Sequence, residues 1–175
     1  GENGVRLEGE GLDESDRHTG IRKIRFDQET LLNRIGRIPL PPYIDRPGEE
    51  MDREMYQTVF AEVEGAVASP TAGLHFDQEL LDHLKRKGIE LCFLTLHVSY
   101  GTIQPVQVEE LSQHQMFEEE FEITEKAADQ IQRALKSNRR IVACGTTVAR
   151  VLETVGERFT SQKGKTRLFI YPPYE

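Results

Sequence analysis

A short turn of small and hydroxyl residues, Cys144-Gly145-Thr146-Thr147, joins an apolar segment to a helical pattern and could bind a ligand. Ligands of open α/β proteins bind at the carboxyl ends of strands, where a helix N-terminus exposes N–H groups and partial positive charge. Gly145 permits close backbone approach, and the two threonine hydroxyls can cap the helix or bind a ligand oxygen. Arg150 lies one turn further, and Glu153 follows at ion-pair spacing. A well-capped helix with a surface ion pair explains the pattern equally well.

Two histidines stand where acid–base chemistry could occur. His75 follows a bend of small residues at 66–73, and His97 closes an apolar segment. A histidine at the carboxyl end of a strand can move a proton or orient a ligand. A lone histidine is more often a satisfied structural group, so each remains a candidate. No pair of residues has the spacing of metal ligands, and the sequence therefore predicts no metal site.

The elements that must position these residues follow from the spacing of apolar side chains. The predicted helices cover residues 29–35, 52–62, 77–87, 124–135 and 146–157. The predicted strands cover residues 21–26, 89–98, 141–144 and 168–171. Three prolines in residues 39–42 exclude both a helix and a central strand there. Helices and strands that alternate over short connections predict an α/β fold whose mainly parallel sheet is flanked by helices.

Composition narrows the function classes. The chain has 175 residues and a net charge of -8, which argues against non-specific nucleic-acid binding by the whole surface. No apolar run approaches the ~20 residues that cross a bilayer, so no membrane partner is predicted. The two cysteines lie in apolar stretches, where we expect small buried side chains. Two cysteines are too few for a disulfide scaffold, so we expect a cytoplasmic protein. The chain starts without Met, which indicates a piece of a longer protein.

Charge is unevenly distributed along the chain. Residues 109–125 carry carboxylates and no Lys or Arg, whereas bases predominate in residues 133–167. One basic segment on an acidic protein can form a local phosphate-binding face. Solvated helix surface with ordinary loop lysines is the plainer interpretation.

Several motifs occur in a fixed order along the chain. They are Gly36-Arg37-Ile38-Pro39-Leu40-Pro41-Pro42-Tyr43-Ile44, Tyr56-Gln57-Thr58-Val59-Phe60-Ala61, Ser69-Pro70-Thr71-Ala72-Gly73-Leu74-His75-Phe76, Thr95-Leu96-His97-Val98, and Gly145-Thr146-Thr147 with Arg150 and Glu153. Together they resemble the S-adenosylmethionine:tRNA ribosyltransferase-isomerases of queuosine biosynthesis. The resemblance starts near residue 20 and covers the middle of that family's chain. It implies that residues 1–33 are the tail of a β-barrel domain and a linker, and that residues 34–175 are an α/β catalytic-type domain, incomplete at its C-terminus.

The resemblance implies transfer of the ribosyl part of S-adenosylmethionine, as co-substrate, to a 7-aminomethyl-7-deazaguanine base at the tRNA wobble position. The product is epoxyqueuosine, and adenine and methionine are released without a metal. A base must remove a proton next to the sulfonium, and an acid must assist the departing adenine. The implied catalytic residues are His75, His97 and Arg150. The implied substrate-binding residues are Pro70, Thr71, Gly73, Gly145, Thr146, Thr147 and Glu153. The residues implied to bind the phosphates of the anticodon stem-loop are Arg139, Arg140, Lys163 and Lys165.

The sequence departs from the family pattern at Gln104, Phe117 and Val148, which stand where the family has Arg, His and Ser. Phenylalanine cannot carry a proton, and glutamine cannot hold a phosphate as arginine does. A divergent working enzyme and a relative that only binds tRNA or a deazaguanine nucleoside both remain open, as does an enzyme that modifies a small free base. The sequence leaves the oligomeric state and the identity of the general base open. From the sequence, Arg150→Ala is predicted to abolish turnover and spare the fold.

Overall fold

A computed structural model of the chain describes residues 9–15, 22–27, 35–99, 108–157 and 159–174. The chain divides into two compact units, Gly1–Ile38 and Pro39–Glu175. In the first unit, β1 (Gly9–Ser15) pairs with β2 (Arg22–Phe26) in an antiparallel hairpin. β2 confirms the strand predicted there, whereas the predicted helix over 29–35 falls almost wholly outside the described residues. The barrel remnant and the domain boundary at residue 33 stay predictions.

Helices of the second unit follow the predicted apolar spacing in most places. They are α1 (Asp52–Met55), α2 (Gln78–Arg86), α3 (Glu125–Lys136) and α4 (Thr146–Val155), with 3₁₀ turns at Thr71–His75 and Leu111–Gln113. The side chain of Asp77 accepts a hydrogen bond from Leu80 N at 2.7 Å and caps α2. Thr124 caps α3 in the same way through Ala127 N, at 3.2 Å. Both helices were predicted from the sequence, with Thr124 as the cap of α3; the cap at Asp77 was not predicted.

The helix predicted over residues 52–62 is wrong beyond Met55. The side chain of Gln57 accepts a hydrogen bond from Thr58 N at 2.8 Å, and Ala61 N closes a turn onto Thr58 O. Local side-chain bonds of this kind compete with the helical pattern, and they end α1 early.

The sheet of the second unit is antiparallel, which corrects the predicted parallel sheet for the described residues. Its strands are β3 (Thr95–Leu96), β4 (Glu119–Ile123) and β5 (Gln162–Thr166), in the order β3-β4-β5. Leu96 lies opposite Phe121, which lies opposite Gly164. β4 and β5 were not predicted, because charged residues dominate their sequences.

Two of the apolar runs do not form the predicted strands, and a third forms only part of one. Residues 141–144 and 168–171 lie outside strands, and residues 89–98 contribute only β3. Val142 is 86% exposed, and both Cys92 and Cys144 are exposed rather than buried. No strand in the described part of the chain pairs with residues 141–144, so no neighbouring strand there covers their apolar side chains.

The core fixes α3 and α4 against the sheet. Its buried members are Leu96, Val98, Phe121, Ile123, Ala127, Ala128 and Val151. Val151 is fully buried and anchors α4 beside β3 and β5. Arg150, the neighbour of Val151 on α4, is therefore held in a fixed position.

Candidate active site

The small-residue bend and the N-terminus of α4 meet. Gly145 precedes α4 with φ 87°, a left-handed conformation that favours glycine. A β-carbon built on Gly145 would lie 3.1 Å from the Ala72 β-carbon. Cys144 Sγ lies 3.8 Å from Ala72 O. Thr146 and Thr147, which open α4, therefore lie next to the bend that carries Pro70, Thr71 and Gly73.

Residues from two earlier motifs support the bend. Gly73 is buried, and a β-carbon there would lie 2.8 Å from Thr58 Cγ2 and 3.1 Å from Phe60 Cζ. Burial and then the nearby Tyr43 raise the pKa of Tyr56, whereas the Ser69 backbone lowers it. Tyr43, the 56–61 motif and the bend thus form one packed unit.

His97 lies at the end of β3 and faces the segment that leads into the bend. The backbone N–H of His97 donates to Glu120 O at 2.8 Å. The backbone carbonyl of the next residue, Val98, accepts from Val67 N at 2.9 Å. A β-carbon built on Gly65, which has φ 136°, would lie 2.7 Å from His97 Nδ1. The ring therefore packs directly on the Gly65 backbone. His75 ends the 3₁₀ turn of the bend and is exposed.

Arg150 is buried in an ion pair that the sequence did not reveal. Its side chain is paired with Glu119 of β4, and its Nε donates to Leu168 O at 2.9 Å. The other Glu119 oxygen accepts from Ser99 N at 2.9 Å, two residues after His97. The predicted pairing of Arg150 with Glu153 is wrong: Glu153 is exposed and lies 3.5 Å from Tyr174 Oη.

Glu119, Ser99 and Ser69 are candidate site residues that the sequence analysis did not single out. The alternating burial of β4 places Glu119 on the inner face with Phe121 and Ile123, and Glu119 is 1% exposed. A buried carboxylate requires a partner, but the burial of Glu119 is visible only in the structure, so the sequence offered no signal for this residue. The partner lies 31 residues away, so spacing alone could not identify it.

Buried polar atoms without a hydrogen-bond partner mark the same region. Within the described residues they are Ser69 Oγ, His97 Nδ1 and Arg150 Nη2. Such atoms are rare in folded proteins, because an unpaired buried donor or acceptor is destabilising. These three atoms are therefore candidates for contact with a polar ligand.

The predicted phosphate contacts lie in different environments. Lys163 pairs with Glu122 at 3.0 Å, and Lys165 pairs with Glu118 at 2.8 Å, on the facing strand. The Glu118 contact is the first cause of the raised pKa of Lys165. Arg139 pairs with Glu90, and Arg140 is exposed.

No group of three or more His, Cys, Asp or Glu residues in the described part of the chain is arranged to hold a metal ion. Among the same residues, no helix has the length and apolar character needed to cross a membrane.

Replacing Gly65 with alanine should impair the site through His97. The new methyl group would lie 2.7 Å from Nδ1 and force the ring away, and a displacement of about 1 Å can lower turnover about 100-fold. Gly88→Ala is the matched control, because Gly88 also has positive φ, 76°, but faces open space. Adenine release by both variants measures the difference; equal rates would show that the position of His97 is unimportant.

The chain is similar to known proteins. A family described as "Queuosine biosynthesis protein" matches residues 5–175. The chain therefore belongs to the queuosine biosynthesis protein family, which confirms the resemblance drawn from the motifs. It is similar to the S-adenosylmethionine:tRNA ribosyltransferase-isomerase of Sulfurihydrogenibium sp. (strain YO3AOP1), with 46% identity over 166 residues, 95% of this chain and 49% of that protein. The chain spans about half the length of this curated relative.

Proposed function

We propose that this chain carries the reaction site of an S-adenosylmethionine:tRNA ribosyltransferase-isomerase. The reaction transfers the ribosyl moiety to the 7-aminomethyl-7-deazaguanine wobble base of tRNA, forms epoxyqueuosine, and releases adenine and methionine. Family membership and the relative's name support the reaction class. The substrates are cytoplasmic molecules, and we expect the reaction to occur in the cytoplasm.

The observation that carries the proposal is the set of unpartnered buried atoms, Ser69 Oγ, His97 Nδ1 and Arg150 Nη2. Each of the three residues belongs to one of the motifs, and these motifs lie close together around residues 65–72. The ribose hydroxyls of a nucleoside offer both donors and acceptors to such atoms.

The side chains divide the chemical tasks. His97 can accept or donate a proton at Nδ1, which suits removal of the proton acidified by the sulfonium or protonation of adenine. His75 on the adjacent bend is the candidate for the complementary task. Arg150 can donate from Nη2 to a ribose or carboxylate oxygen, and the free N–H groups at the start of α4, with Thr146 and Thr147, can hold further oxygens.

Release of adenine tests the proposal. Full-length protein incubated with S-adenosylmethionine and tRNA that carries the aminomethyl-deazaguanine base should release adenine in proportion to modified tRNA. Omission of the tRNA should stop the release, and the free base should not replace the tRNA. Tight tRNA binding without adenine would overturn the catalytic proposal and indicate a binding protein. This outcome is a real alternative, because Phe117 and Val148 depart from the family pattern.

A further inference from the structure

The structure separates the basic segment 133–167 into two parts with different electrostatic surroundings. The strand part, Lys163, Lys165 and Arg167 on or next to β5, faces the glutamates of β4. Arg167 lies 3.2 Å from Glu118, and Lys165 also lies 3.5 Å from Glu120. Cations matched by carboxylates on the neighbouring strand contribute little field to an approaching polyanion, since the charges cancel at distance.

The helix part behaves differently. Arg133 and Lys136 lie in the last turn of α3, and Arg140 follows it; all are exposed. None of these side chains makes an ion pair with another described residue. Their charge therefore remains available to solvent.

A second set of cations lies beside this helix end, although it is distant in sequence. Arg86 and Lys87 end α2, and both are exposed. Glu90, just after α2, pairs with Arg139, just after α3. Gln130 Nε2 donates to Leu91 O at 3.3 Å, so residues 90–91 lie against α3, and Arg86 and Lys87 precede this contact by only a few residues.

We propose that the exposed cations of these two helix ends, Arg86, Lys87, Arg133, Lys136 and Arg140, form the surface that binds the tRNA phosphates. This set is called the helix-end basic cluster. The proposal rests on the function proposed above and adds the α2 residues to the predicted contacts. It assigns Lys163 and Lys165 to cross-strand pairing. On a chain with a net charge of -8, only a concentrated cluster of unmatched cations can attract RNA.

Basic residues in the last turn of a helix also interact favourably with the helix dipole. That role would explain Lys136 and Arg86 without RNA. The two roles differ in what they change: a dipole contact affects the unfolding temperature, whereas a phosphate contact affects the salt dependence of binding.

The test compares two triple variants with the same change of charge and composition. Lys87→Gln, Lys136→Gln and Arg140→Gln remove cluster cations, and Lys163→Gln, Lys165→Gln and Arg167→Gln remove strand cations. Glutamine and lysine have similar helix propensities, so the helices should persist. Binding of tRNA to full-length protein is measured by fluorescence anisotropy at salt concentrations from about 50 to about 300 mM. Phosphate contacts weaken over roughly this range.

The cluster variant should bind tRNA at least about tenfold more weakly, and the slope of log affinity against log salt should fall by about 2 to 3. The strand variant should keep the wild-type slope. Equal losses in both variants, or a loss confined to the strand variant, would overturn the proposal. So would a lower unfolding temperature of the cluster variant with unchanged binding, which would assign the cations to the helix dipoles. Because tRNA binding is measured apart from adenine release, failure of the catalytic proposal leaves this result readable.

Discussion

Arg150→Met should abolish adenine release and also destabilise the protein by about 3–5 kcal/mol, because it leaves a buried carboxylate unpaired. Glu119 is 1% exposed and Arg150 is 8% exposed, so neither charge can turn to solvent. This expectation replaces the one drawn from sequence alone, which had the fold unaffected. Unfolding in urea and adenine release measure the two effects separately.

The double variant Arg150→Met with Glu119→Gln separates stability from catalysis. Glutamine is uncharged and keeps an acceptor for Ser99 N, so most of the lost stability should return. Turnover should not return, since the Nη2 donor is still missing. Recovery of both would show that Arg150 serves the fold alone. Full activity of the single variant would remove Arg150 from the site.

His97→Asn should lower turnover by about 10²- to 10⁴-fold, the range that general acid–base catalysis contributes. The asparagine amide can occupy the position of Nδ1 and offer a hydrogen bond to the ligand, but it transfers no proton near neutral pH. The Michaelis constant for S-adenosylmethionine should change less than the turnover number. Steady-state adenine release over a range of substrate concentrations gives both values.

His75→Asn and His83→Asn complete the series. His83 lies exposed on α2, and its replacement should leave turnover unchanged. His75 should show a clear loss if it performs the complementary proton transfer. A His97→Asn variant as active as His83→Asn would mean that the buried nitrogen takes no part in the reaction.

The helices were the most predictable part of the fold. The apolar face of α3, with Ala127, Ala128 and Ile131 buried, repeats at helical spacing, and Thr124 caps it. These signals act over a few residues and here agree with the tertiary packing. The joining of the bend to α4 was also foreseeable, because glycine and alanine at Gly145 and Ala72 are what a close approach needs.

The sheet could not be predicted in the same way. β4 has the sequence Glu119-Glu120-Phe121-Glu122-Ile123, in which the inner face includes a carboxylate. Only the distant Arg150 makes that burial possible, and pattern rules assign glutamate to the surface. Conversely, residues 141–144 look buried by composition, yet they are exposed. Long-range partners decided both positions.

Nitrogen NMR of the histidine rings tests the central claim that the separate motifs form one ligand site. Full-length protein with ¹⁵N-labelled histidine is titrated with S-adenosylhomocysteine, which lacks the reactive sulfonium. Saturable binding should shift the His97 Nδ1 resonance, since the ligand supplies its missing partner, and leave His83 unshifted. Saturable binding with no change at His97 would contradict the account.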